Sequence, residues 1–241
     1  MSRGLHAAGA DVRLDLLGGF RLRCADDTRS IPMSAQRVLA FVALHDRPLR
    51  RSYVAGMLWP NSSEKNSRAS LRSALWRLGR VRCAPMLVRS RHLELSARVT
   101  VDVREMESRA HRLQDATDEC EEEDLDDIMR SGDLLPGWYE DWVVGERERL
   151  RQLRLHALES SCARLILAGR FGHVVQAALV AIQEEPLRES AHRALIQAHL
   201  AEGNAVEAVR QYRRYTRMLW EELRLEPSPQ TKALVQGLAM P

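Results

Sequence analysis

The period of the hydrophobic pattern changes once along this chain of 241 residues, and that change limits the folds open to it. Near the start, residues 12–16 (Val-Arg-Leu-Asp-Leu) and 20–24 (Phe-Arg-Leu-Arg-Cys) alternate apolar and polar side chains. That is the period of a half-buried strand. Gly18-Gly19 and Asp26-Asp27 supply turns, and residues 29–33 can give a third strand, so an antiparallel meander is predicted. From Ser34 the helical period takes over. Ser34 can cap a helix over 34–45, with Val38, Leu39, Val42 and Ala43 on one side and Pro48 beyond its end. A second helix is predicted over 51–58 and a longer third over 64–80. Leu71, Ala74, Leu75 and Leu78 give the third its buried stripe at i, i+3, i+4 and i+7. Asn61 and Glu64 have capping-box spacing, while Ser62 or Ser63 could also cap this helix.

Residues 86–89 and 92–95 then read as two short strands joined at Ser90-Arg91, and residues 99–103 as a strand returning to the first sheet. Strands, three helices and a hairpin with a basic tip make the layout of a winged helix with an added N-terminal sheet. The charge agrees with that layout. Residues 1–104 hold 19 Lys+Arg against 8 Asp+Glu, a net of +11, whereas residues 105–241 hold 17 against 25, a net of −8. The N-terminal part is thus a candidate polyanion binder hidden inside an overall charge of +3.

The rest of the chain is read as helical. Nine of the thirteen residues 115–127 are acidic, and repulsion at that density predicts a solvated, mobile loop. Helices are expected over 145–168, 171–185, from Pro186 onward, and from Gly203-Asn204 to about residue 223, with Ser228-Pro229 capping a last short one. Gly169 and Gly203 lie 34 residues apart; Val174 and Ala208, Ala178 and Tyr212, and Leu158 and His192 keep the same spacing. A 34-residue helix-turn-helix period is that of tetratricopeptide repeats, whose stacked pairs present a concave surface to protein partners. The fold class is therefore mainly α with a small β component: a winged helix-turn-helix domain over 10–104, then an all-α helical-repeat domain over 105–241.

Several functions find no support. No run approaches 18 apolar residues, so no membrane helix is predicted. Residues 1–10 do not resemble a secretory leader, and a cytoplasmic location is expected. Cys24, Cys83, Cys120 and Cys162 show no CxxC spacing and read as idle thiols. No phosphate-binding glycine loop, HExxH or nucleophile elbow is present, and His156, His173, His192 and His199 lack a further ligand. An enzyme, a cofactor and a metal site are accordingly not expected.

Particular stretches carry a resemblance. In the N-terminal half these are Leu17-Gly-Gly-Phe20, Met57-Leu-Trp-Pro60 and Ala69-Ser-Leu-Arg-Ser-Ala-Leu-Trp-Arg-Leu78. In the C-terminal half they are Gly132-Asp-Leu-Leu-Pro-Gly-Trp138, Glu146-Arg-Glu-Arg-Leu150, Glu185-Pro-Leu-Arg-Glu-Ser-Ala-His-Arg193 and Leu225-Glu-Pro-Ser-Pro229. Together they resemble the SARP-type antibiotic regulatory activators, an OmpR-type winged helix followed by a bacterial transcriptional activator domain. The resemblance spans about residues 12–238. It implies activation of transcription by binding promoter repeats on double-stranded DNA and recruiting RNA polymerase holoenzyme. A homodimer on tandem repeats fits that mode but has no sequence signature. The chain shows neither the ATPase module of larger relatives nor a receiver domain, although this winged-helix type is often grouped with phosphorelay regulators.

A recognition helix sets its first turns against base edges in the major groove. Projection at about 100° per residue puts Lys65, Asn66, Ala69, Arg72, Ser73 and Trp76 opposite the buried stripe, with Arg68 and Arg77 at its flanks. Asn66, Ala69, Arg72 and Ser73 are assigned to base edges, because Arg matches guanine, Asn adenine, and a methyl group thymine. Lys65, Arg68 and Arg77 are assigned to phosphate. Trp76 either faces DNA or packs on a neighbouring element. Arg89 and Arg91 at the wing, and Arg50 and Arg51 at the start of the second helix, could meet backbone or minor groove. The resemblance gives the loop of Trp59, Pro60, Asn61, Ser62 and Ser63 a polymerase contact, while Trp59 itself reads as a core anchor rather than an interface residue. Trp138, Tyr139 and Trp142 are expected to dock their segment onto the repeats or onto the winged helix. A helical-repeat scaffold that binds no DNA is the alternative; it leaves the charge partition unexplained.

Overall fold

The computed structural model describes residues 12–25, 27–81, 83–115 and 122–238. The chain folds as two units, each discontinuous in sequence. The first takes the chain up to Met106 together with Gly132–Arg149; the second takes Glu107–Ser131 and Leu150 onward.

In the first unit, β1 (Val12–Asp15), β2 (Arg21–Cys24), β3 (Asp27–Arg29) and β7 (Val99–Val101) form a sheet of order β3-β2-β1-β7. β1 and β2 are antiparallel, with Leu14 opposite Leu22, and β7 runs parallel to β1, with Leu14 opposite Val101. Alternation buries Val12, Leu14, Leu22 and Val101 on one face. The third strand is earlier than its sequence suggests. Pro32 is the N-cap residue of α1 (Met33–Ala43), so the chain is already turning into helix where a strand over 29–33 was expected. Ser34 does not cap this helix; its hydroxyl accepts from Arg77. α2 (Arg51–Leu58) and α3 (Glu64–Gly79) pack on each other, and α1 packs on both. The whole Leu71, Ala74, Leu75 and Leu78 stripe is buried. A smaller sheet of order β4-β6-β5 joins β4 (Leu49–Arg50) to the hairpin of β5 (Met86–Val88) and β6 (His92–Leu95).

Two tertiary features of this unit join segments far apart in sequence. Cys24 and Cys83, expected as free thiols, are joined by a disulfide with Cα atoms 5.8 Å apart, tying the end of β2 to the chain just beyond α3. Cys162 is a buried free thiol, and Cys120 lies outside the described residues. The second feature is the segment Gly132–Arg149, which folds against the N-terminal strands. Leu134 bridges to Leu17, the Gly18 amide donates to the Asp133 carbonyl at 2.8 Å, and the Leu135 amide donates to the Leu16 carbonyl at 2.9 Å. A Cβ on Gly132 would stand 3.0 Å from the backbone nitrogen of Gly18, so glycine alone allows this approach. Arg147 then donates to the carbonyls of Leu134, Leu135 and Trp138, closing the turn. Trp138 stacks on Phe20 and Trp142 meets Phe41 edge-on, so these two aromatic rings dock on the winged-helix unit; Tyr139 stays exposed.

The second unit is helical. α4 (Asp102–Gln114) and α6 (Asp141–Leu167) each begin in the first unit and end in the second. The acidic run is only partly the loop expected. Residues 116–121 lie outside the described residues, but Glu122–Arg130 forms α5. Leu125 and Ile128 bury one face of that helix, and Asp124, itself buried, accepts from Arg112 at 2.6 and 2.7 Å. Within this helix Asp124, Asp126 and Asp127 each pair with an arginine, which offsets the repulsion expected of the run. The repeat follows in α7 (Phe171–Glu184), α8 (Glu189–Ala201) and α9 (Ala205–Leu223). Gly169 and Gly203 both take positive φ, +70° and +78°. Arg170 donates to Leu165 and Asn204 to His199, one bond repeated after 34 residues, as a Schellman-type helix end requires. Pro186 does not open α8, which begins three residues later after Arg188, and its carbonyl accepts from His192 instead. Ser228 caps α10 (Pro229–Val235), with Pro229 in its first turn. Ile196, Ala208 and Val235 close the core of α8, α9 and α10.

Candidate nucleic-acid interface

α3 starts where Ser63 caps it. The serine hydroxyl accepts from the Asn66 amide at 3.4 Å, which decides among the three caps the sequence allowed. Burial of Leu71, Ala74, Leu75 and Leu78 then fixes the rotation of the helix about its axis, and with it the outer face. Lys65, Asn66, Arg68, Ala69, Arg72, Ser73, Trp76 and Arg77 are all exposed. Among the described residues Lys65 and Arg72 have no ion pair, whereas Arg68 pairs with Glu64 one turn back. Arg77 donates to Ser34 at 2.9 Å and is held against the start of α1. Trp76 is 63% exposed, and the guanidinium of Arg80 lies over its ring at 4.8 Å. Arg80 and Arg29, which no sequence pattern singled out, line a cavity of about 460 Å³ together with Trp76, Arg77, Ile31 and Pro32. The spacing of Arg80 one turn after Trp76 was the available signal.

The wing and the start of α2 come together through the backbone. Arg50 pairs with His92 across β4 and β6, and the Arg51 amide donates to the Arg91 carbonyl at 3.0 Å. Arg50, Arg51 and Arg91 are therefore neighbours in space although 40 residues part them in sequence. Arg89 closes the hairpin through its amide on the His92 carbonyl, and its side chain lies 3.9 Å from Glu94. Arg50, Arg89 and Arg91 are exposed and Arg51 half-buried.

Arg37 of α1 organises the loop between α2 and α3. It donates to the Leu58 carbonyl at 2.7 Å, pairs with Glu140 at 2.8 Å and lies over the Trp59 ring at 5.9 Å. Trp59 is half-buried, and Pro60, Asn61, Ser62 and Ser63 are exposed. Half-buried Asp102 ties the end of β1 to the start of α4. Burial drives its pKa above the ordinary value, although its carboxylate accepts from the amides of Leu16, Leu17 and Val103.

The chain is similar to known proteins in two ways. The bacterial transcriptional activator domain matches residues 87–238. Among solved structures, Mycobacterium tuberculosis EmbR, in complex with a low-affinity phosphopeptide, has the same fold at a TM-score of 0.77 and 19% identity. That similarity covers 93% of this chain and 64% of the mycobacterial one, so the chain spans less than two thirds of that relative. No curated protein matches the sequence. With the family domain covering more than half of its length, the chain belongs to the bacterial transcriptional activator domain family.

Proposed function

We propose that this protein activates transcription by reading promoter DNA through α3 and meeting RNA polymerase through the 59–63 loop. The observation that carries the reading is the outer face of α3. A buried leucine stripe sets its rotation, and the opposite face presents Asn66, Ala69, Arg72 and Ser73 to solvent, with Lys65, Arg68 and Arg77 around them. Base edges fall to the first four and phosphates to the last three. Arg50, Arg51, Arg89 and Arg91 extend the basic surface to the wing, and Trp76 with Arg80 to the far end of the helix. The domain assignment is a winged helix over 10–104 and a helical-repeat activator domain over 105–241, with Gly132–Arg149 packing with the former.

The test is a titration of the full chain against its own upstream DNA and a scrambled duplex, with Arg72→Ala beside wild type. The expected result is preference for its own site, with Arg72→Ala losing on the order of 1–3 kcal/mol on that site and little on the scrambled one. Equal loss on both duplexes would return Arg72 to the phosphate contacts. Absence of binding to either duplex at low salt favours the helical-repeat scaffold.

A further inference from the structure

A cavity of about 480 Å³ opens in the first unit, and no residue of α3 lines it. One wall is Met57 with Trp59, Pro60, Asn61 and Ser62 of the loop, and the other is Tyr139 and Glu140 with Asp141 and Trp142 at the start of α6. The chain shows what such a groove holds, because one cation of its own lies in it. The guanidinium of Arg37 sits over the Trp59 ring and pairs with Glu140. Ring and carboxylate are the two groups that bind a guanidinium or ammonium best, one by its quadrupole and one by charge.

The same two groups recur at the outer edge. Tyr139 is 83% exposed, Asp141 is exposed, and among the described residues Asp141 has no ion pair. Both stand in the unit whose first 104 residues carry a net charge of +11, where arginine partners are plentiful. Resting on the reading that the 59–63 loop meets polymerase, we propose that the groove takes an arginine or lysine side chain of RNA polymerase holoenzyme. Tyr139 supplies the ring and Asp141 the counter-charge. The contact surface then spans two segments far apart in sequence, the 59–63 loop and the 139–142 stretch, which Arg37 and Glu140 hold together.

The experiment uses the full chain, its promoter duplex and purified RNA polymerase holoenzyme. Wild type is set beside Tyr139→Ala, Tyr139→Phe, Asp141→Asn and Asp141→Arg, whose thermal midpoints check the fold. Binding of each protein to DNA alone should be unchanged. Assembly of the ternary complex, and run-off transcription with it, should weaken by roughly tenfold for Tyr139→Ala and Asp141→Asn, as for loss of an interfacial cation contact. Asp141→Arg should weaken it further, while Tyr139→Phe, which keeps the ring, should behave as wild type. Wild-type ternary assembly by Tyr139→Ala and Asp141→Arg overturns the proposal. So does a Tyr139→Phe as weak as Tyr139→Ala, since the ring face would then not be what binds. A change in self-association with polymerase binding intact would assign the groove to a second copy and equally overturn it. If wild type binds its promoter but forms no ternary complex, polymerase recruitment itself fails, a result distinct from failure of the variants.

Discussion

Both ring nitrogens of His192 are engaged inside the helical unit. Nε2 lies 2.9 Å from the Pro186 carbonyl and Nδ1 lies 2.6 Å from the side-chain amide of Gln211. A carbonyl only accepts, so Nε2 carries the proton and Nδ1 accepts from Gln211. The ring is fully buried and stacks on Tyr215 at 4.3 Å. This neutral tautomer has no room for a second proton, and burial accordingly lowers the histidine pKa below its ordinary 6.5. A lowered folded pKa means that the unfolded chain binds more protons, so stability rises with pH and is lost as pH falls from the ordinary value toward the folded one. Glu159 and Glu189 act in the same direction at lower pH. Burial pushes each upward, but hydrogen bonds from Arg188 and Ser190 to the first, and from Ser228 and Thr231 to the second, win and hold both below 4.5. Thermal melts should therefore show the helical unit losing stability first below about pH 6.5 and again below about pH 4.5. His192→Leu should lower the melting midpoint at neutral pH, at about 1–3 kcal/mol for each buried partner left unsatisfied, and abolish the first pH step. A first step that survives this substitution would place its origin elsewhere.

Elements are where sequence pattern and structure part company. Residues 51–58, the start of α3 and the strand 92–95 stand where their periodicity put them, because each contains its own spacing, cap or alternation. The turns at Gly169 and Gly203 were legible for the same reason, since a positive φ marks a residue type. For Gly132–Arg149 the aromatic cluster marked a docking segment but left its surface open, since its backbone partners, Leu16, Leu17 and Gly18, lie more than 100 residues upstream. α5 was hidden under its acidic composition, because the arginines that pair with Asp124 come from α4. At the candidate interface the outer face of α3 could be projected from one helix alone, whereas the meeting of Arg51 with Arg91 needs β6. The fold-back can be tested directly. Gly132→Ala would set a Cβ 3.0 Å from one backbone atom of Gly18 and 3.1 Å from another, and neither can rotate away. A loss of about 1–3 kcal/mol is expected in denaturant melts of the first unit. Arg147→Ala should weaken the same unit by leaving the carbonyls of Leu134, Leu135 and Trp138 without their shared donor. The Cys24–Cys83 link closes a loop over 59 positions, so reduction should cost the unit up to about 4 kcal/mol. A reductant-insensitive melt would show that the link adds nothing.

On the scale of the whole molecule, a formal charge of +3 would suggest little attraction for DNA. The partition into +11 for residues 1–104 and −8 for residues 105–241 suggests a great deal, confined to one part of the chain. Salt dependence separates the two views. Each phosphate neutralised releases counterions and steepens the fall of log K with log salt by about 0.9. Removing Arg89 and Arg91 together, both exposed at the wing, should make the slope shallower by about 2 if each meets one phosphate. Arg77→Ala should do less, because that side chain is already bound to Ser34. Neutralising Asp126 of α5, paired with Arg130 one turn on, should leave the slope where it was. The three variants form one series on a single duplex. If the slope follows the wing arginines and ignores the acidic helix, the basic unit alone faces the phosphates. If Asp126→Asn steepens it, the acidic half lies near DNA as well, and its −8 limits affinity by repulsion from the same phosphates that the wing attracts.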